Sequence, residues 1–172
     1  MRQLTPVRVL FFGKVNQMTL KLKTKDLHLT YETLALHFDI NKRTIQRWVN
    51  GKSEAELWFV DAIDQWLDWK YKSSQTAFSH FMDAVAKRDD STMQLVLINY
   101  SAEDFVEMVT DDFPVEVHQA SLARITYLVE QAGHAVKVIK MDKNAYFEWL
   151  REHELDDSQP NRNAWGAVQN EK

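Results

Sequence analysis

The chain has no cysteine, only four glycines and three prolines, and no apolar run near the length of a membrane span. Each absence excludes something. Without Cys there is no disulfide framework, no thiol catalysis and no Cys-ligated zinc. A membrane helix needs about 20 consecutive apolar residues. No Gly-rich phosphate loop and no Gly-x-Ser-x-Gly elbow occurs. The six histidines form no His-x-His and no i, i+4 pair around a Glu, so a metal site is not expected. The acid pairs Asp89-Asp90, Asp111-Asp112 and Asp156-Asp157 stand at predicted helix ends or in loops. They suit capping and solvation better than general acid/base chemistry. The expectation is a protein that is not an enzyme and needs no cofactor. Met1 to Gln17 is basic and mildly apolar, but Val7-Arg8-Val9-Leu10-Phe11-Phe12 is short and no small-residue cleavage site follows. No signal peptide is read there, and the expected compartment is the cytoplasm.

What is present supports a folded protein. Apolar residues make up 45% of the 172, enough for a real core, which excludes global disorder. The length suits one domain, or a small domain with a second attached. The net charge of −4 conceals a split. Residues 1–52 carry ten Lys/Arg against Asp26, Glu32 and Asp39, a balance of +7. The remaining residues carry eleven against twenty-two, a balance of −11. A basic N-terminal module suited to a polyanion and an acidic remainder with other work follow from that split.

Caps and stops divide the chain. Residues 18–27 read as a short helix, although the alternation of Leu and Lys also allows a strand. Thr30 is a good N-cap for a helix through His37, and Asn41 for a helix from Lys42 to Asn50 that Gly51 stops. Ser53-Glu54-Ala55-Glu56 reads as a capping box. From Glu54 to about Arg88 there is no Gly or Pro, and Leu57, Trp58, Val60, Ile63, Trp66, Leu67 and Tyr71 recur at helical spacing. That predicts one long helix, or two with a break near Ser73-Ser74. Trp58 and Trp66 fall on its apolar stripe. Leu95–Ile98 and Ala135–Ile139 read as strands. Between them lie a short helix capped by Ser101 and a longer one begun by Pro114 and stopped by Gly133. Asp142 caps a last helix to about Glu154. Strands joined by helices favour parallel pairing, and a two-stranded sheet must lean on helices or on a second copy of the chain.

The informative stretch is LTYETLALHFDINKRTIQRWVNGK, residues 29–52. Ala35 is small enough for a close helix crossing. Ile40 is placed to point inward from the turn, and Ile45 and Trp48 share the inner face of the next helix. Lys42, Arg43, Thr44, Gln46 and Arg47 are polar or cationic, and none is acidic. This is the layout of a helix-turn-helix, whose second helix offers Arg, Lys and Gln to base edges.

On Leu34-Ala35, Asp39-Ile40, Asn41, Thr44-Ile45, Trp48 and Asn50-Gly51-Lys52, the stretch resembles the lambda-repressor and Cro-like family. The departure is Asp39, where family members carry Gly. Asp tolerates the left-handed backbone of such a turn better than most residues. The resemblance implies that Lys42, Arg43, Gln46 and Arg47 face the major groove, with Arg43 and Gln46 the best candidates for base contacts and Lys42 able to reach phosphate instead. It implies phosphate contacts from Thr30, Tyr31, Asn50 and Lys52.

The order of elements over residues 18–150, including Thr92-Met93-Gln94-Leu95 and the stretch from Asp111 to Asp142, resembles the YdiL-like regulators. That group includes repressors associated with anti-CRISPR operons. The resemblance implies a homodimer that represses its own promoter at an inverted repeat in double-stranded DNA. Some members also bind RNA. Met18 lies where such proteins often begin. The expected fold is mainly α, a lambda-repressor-like helix-turn-helix domain followed by a small α/β dimerisation part with two short strands. The expected division is an N-terminal extension (1–17), the DNA-binding domain (18–72), the dimerisation domain (73–155) and a mobile tail (156–172). Candidate dimer surfaces are the two strands and the stripe of Val117, Leu122, Ile125 and Leu128. The other reading is an antitoxin-like protein-interaction module with DNA-binding activity.

Overall fold

A computed structural model describes residues 20–88 and 93–171. The expected extension, Met18 and the Asp89-Asp90 pair lie outside these residues. The described residues are mainly helical, with one two-stranded parallel sheet. The chain divides into two compact units, Met1–Lys70 and Tyr71–Lys172.

In the first unit, α1 covers residues 20–26, α2 Tyr31–Phe38 and α3 Lys42–Val49, and α4 (Leu57–Arg88) begins. The helical alternative for the first segment is the one adopted. Its β-branched Thr24 is buried, and its hydroxyl is satisfied by donating to the Lys21 carbonyl at 3.1 Å. The Thr30 Oγ1 accepts from the Thr33 amide at 3.0 Å, and the Asn41 Oδ1 from the Arg43 amide at 2.8 Å, so both expected caps form. Asp39 turns the chain with φ 52°, in the left-handed region. That geometry lets the Ile40 amide donate to the Ala35 carbonyl and close α2. Asp39→Val is expected to lower stability by about 1–2 kcal/mol, because a β-branched side chain is strained there; a denaturant melt measures it.

Gly51, at φ 69°, performs the same service after α3. The amides of Gly51 and Lys52 donate to the carbonyls of Trp48 and Arg47. This ending corrects the expected capping box. The Ser53 amide is also drawn to the Arg47 carbonyl, at 3.3 Å, so Ser53 belongs to the close of α3. The next helix starts at Leu57, with the Glu56 carbonyl accepting from Phe59 and Val60. Leu27, Leu34, Ile45, Phe59 and Ile63 are fully buried and form the core of this unit. Trp66 is buried as well, stacked on Phe38 at 5.2 Å. Trp58 is not a core residue. It is 47% exposed and leans its ring edge-on against Phe38, Trp48 and Phe59. The Lys70 ammonium, itself buried, is satisfied by the Asp26 carboxylate and carbonyl, both at 2.9 Å.

α4 runs unbroken for 32 residues. No break occurs at Ser73-Ser74; the Ser74 hydroxyl bonds back to the Tyr71 carbonyl and Ser73 meets Ser121 at 2.7 Å. In the second unit follow β1 (Gln94–Asn99), α5 (Ala102–Met108), α6 (Val115–Gln131), β2 (Ala135–Lys140), α7 (Lys143–Glu152) and α8 (Gln159–Asn170). The strands pair in parallel, with Leu95 opposite Val136 and Ile98 opposite Ile139. Side chains alternate across a strand, and each face of the sheet has its own cover. Leu95, Leu97 and Val136 pack on Phe81, Ile125 and Val129 of α4 and α6. On the other face, Val96 and Ile98 lie against Gly166 of α8, close enough that a Cβ there would meet Ile98 at 3.2 Å.

Two expectations are corrected by this packing. Most of the expected tail forms a helix, α8. Ser158 caps α8, Pro160 sits in its first turn, and Trp165 and Gly166 are buried. The dimer stripe is also reduced. Val117 and Ile125 are buried within the single chain, so they have no surface to offer a second copy. Of the two strands, Ile98 is buried and Val138 is 49% exposed.

Candidate nucleic-acid interface

The candidate site is built on α3, whose two sides separate cleanly. Ile45, Trp48 and Val49 are buried. Arg43, Gln46, Arg47 and Asn50 recur at i, i+3, i+4 and i+7 and therefore share the opposite stripe. Arg43, Arg47 and Asn50 are exposed and Gln46 is half-buried. Lys52, just past the glycine turn, completes the group, and these five side chains line one groove. Among the described residues no acid pairs with Arg43, Arg47 or Lys52. The groove therefore presents three cations, two amides that are both donor and acceptor, and no compensating charge.

The other predicted residues occupy distinct places. Tyr31 and Asn50, nineteen positions apart, meet: the Tyr31 hydroxyl donates to the Asn50 Oδ1 at 3.3 Å. The Asn50 Nδ2 donates to the Gln46 carbonyl at 2.8 Å. Asn50 thus pins the start of α2 to the end of α3, which sets the groove's shape. Thr30 is exposed, with its hydroxyl engaged in the α2 cap. Lys42 stands apart from the groove lining. Its ammonium pairs with the Glu32 carboxylate on α2. The hydrogen bond from Lys42 holds the Glu32 carboxyl below its ordinary range.

Glu32 is the site residue that sequence reading missed. It carries no motif signal, and its partner lies ten positions away across a turn, beyond the reach of any helical periodicity. Among the described residues no group of His, Asp or Glu is arranged to hold a metal ion. No helix among them is long and apolar enough to cross a membrane. Neither a protein-family model nor a curated protein matches the chain.

Proposed function

We propose that this chain is a sequence-specific DNA-binding transcriptional regulator of the helix-turn-helix type, acting as a dimeric repressor at an inverted repeat. The observation that carries this reading is the groove of Arg43, Gln46, Arg47, Asn50 and Lys52, cationic and free of acid, on a helix whose other side is anchored in a core. Arg fits the paired acceptors of guanine, and Gln the donor and acceptor of adenine. Asp39 supports the reading, because its left-handed turn lets two short helices follow one another within three residues. One such helix reads only a few base pairs. Two copies on one face of the duplex, with half-sites ~34–36 Å apart, supply a usable address.

The test is footprinting and titration on the DNA upstream of the chain's own gene, with sedimentation of the full chain. Affinity is expected to fall with salt, with a slope of about −0.9 per phosphate contact. Arg43→Ala and Gln46→Ala are each expected to cost ~1–3 kcal/mol and to relax preference at particular bases. Lys52→Ala is expected to weaken all sequences alike. The footprint is expected to show two related half-sites and sedimentation a dimer at micromolar concentration. Salt-insensitive binding, or a monomer that protects a single half-site, would count against the reading.

A further inference from the structure

The Lys42–Glu32 pair stands beside the groove, and a reader of polyanions has no obvious use for it. It places a carboxylate next to the helix that is to meet phosphates. Both side chains are about half exposed, at 48% and 58%. Exposed pairs of this kind contribute little to folding, so its consequence lies in the surface field. Lys42 is the first residue of α3 and neighbours Arg43. In a recognition helix the N-terminal residues go deepest into the groove. An unpaired lysine there is a flexible point charge that accepts any phosphate as a partner. Such contacts add affinity for every duplex and distinguish none.

We propose that Glu32 is a specificity-determining residue of the DNA site, acting by holding Lys42 away from indiscriminate phosphate contact. The proposal rests on the reading of α3 as the DNA-reading helix. With Glu32 bound, Lys42 displaces no counterion when random duplex approaches. The carboxylate, in the first turn of α2, repels phosphate at the same time. Lys42 exchanges this partner only where a guanine edge offers it two acceptors in fixed positions, and a neighbouring cytosine amine can then occupy the released carboxylate. The pair thus penalises every sequence and relieves the penalty at one.

The test compares wild type, Glu32→Gln, Lys42→Gln and the double variant. Each is titrated with a site selected by the wild-type chain from a random-sequence pool, and with random duplex of equal length, between about 0.05 and 0.2 M salt. Glu32→Gln is expected to tighten binding to random duplex and to steepen its salt slope by about 0.9, so that the gain is roughly threefold larger at the low end of that range than at the high end. The selected site gains less, and the specificity ratio shrinks. Lys42→Gln alone is expected to leave the random-duplex slope unchanged, and in the Glu32→Gln background to abolish the gain. Melting curves of all four establish that they are folded, as expected for an exposed pair. If Glu32→Gln leaves the random-duplex slope unchanged, if its gain survives without Lys42, or if Lys42→Gln alone flattens the slope, the proposal is overturned while DNA reading by α3 stands. If wild type binds neither duplex, the proposed function fails and this proposal with it.

Discussion

Ile45→Ala is expected to destabilise the protein by about 2–5 kcal/mol while leaving the chemistry of the groove on α3 intact. Ile45 is fully buried, between Arg43 and Arg47 in sequence but on the opposite side of α3. Truncating it removes three carbons from close packing and leaves a cavity in a core that also holds Leu34, Trp48 and Phe59. A thermal or denaturant melt reads this loss directly. The folded fraction at low temperature is expected to keep the wild-type salt slope, because no groove charge has changed. Arg43→Ala, two positions earlier, is expected to do the reverse, with an unchanged melt and weakened binding. Two neighbours on one helix thus have opposite signatures, one in stability and one in recognition. An Ile45→Ala variant that melted like wild type but no longer bound DNA would show that the helix presents its other side.

Much of this geometry is legible in the sequence because it is local. Thr30, Asn41, Ser101 and Asp142 each accept a first-turn amide, as their residue types and positions suggest. Asp39 and Gly51 take the positive φ that a helix ending of this type needs. The two strands are short apolar runs separated by helices, and they pair in parallel. The caps and turns depend on neighbours within four or five positions, where residue type nearly dictates conformation, and the parallel pairing follows from strands joined by helices rather than by a tight turn.

What escaped the sequence reading depends on partners outside the residue's own helix. Ser53 looks like a cap until the ending of α3 claims its amide. Trp58 fits the apolar stripe of α4, yet its neighbour Phe59 takes the fully buried position and the Trp58 ring stays half exposed. Val117 and Ile125 look like a dimer stripe only while their intrachain partners are unknown. Glu32 looks like a helix-favouring acid at an N-terminus until Lys42 arrives across the turn. Residues 156–172 mislead most. Gly and Pro in a polar segment suggest a loose end, but here Pro160 starts a helix and Gly166 is small because the sheet lies against it.

Trp165→Ala is therefore expected to cost about 3–5 kcal/mol, a loss no mobile tail would show. Trp165 is 2% exposed, and its ring meets Tyr146 edge-on at 5.9 Å. The helix around it is tied to both strands. The Asn170 Nδ2 donates to the Gln94 Oε1 at 2.7 Å, and the Asn170 carbonyl accepts from the Lys137 ammonium at 3.3 Å. At the other end, the Asp157 carboxylate receives the Tyr146 hydroxyl and the Arg162 guanidinium, at 2.9 and 2.8 Å. Burial and that carboxylate push the Tyr146 hydroxyl up to about 12, so it stays a proton donor across the working pH range. Loss of the indole frees α8 from this setting and opens the Val96–Ile98 face to water. Two strands covered on a single side are marginal, so the unit is expected to unfold at lower temperature as a whole. Trp165→Phe separates packing from polarity. The indole Nε1 is buried without a partner among the described residues, and an unpaired buried N–H costs about 1–3 kcal/mol. Phe removes that cost while keeping most of the ring, so its loss is expected to be well below that of Ala. Val168→Ala, at a partly exposed position of the same helix, serves as the comparison and is expected to change little. Melting curves of the three variants decide the matter. A Trp165→Ala protein that melted with wild type would mean that α8 does not hold the sheet.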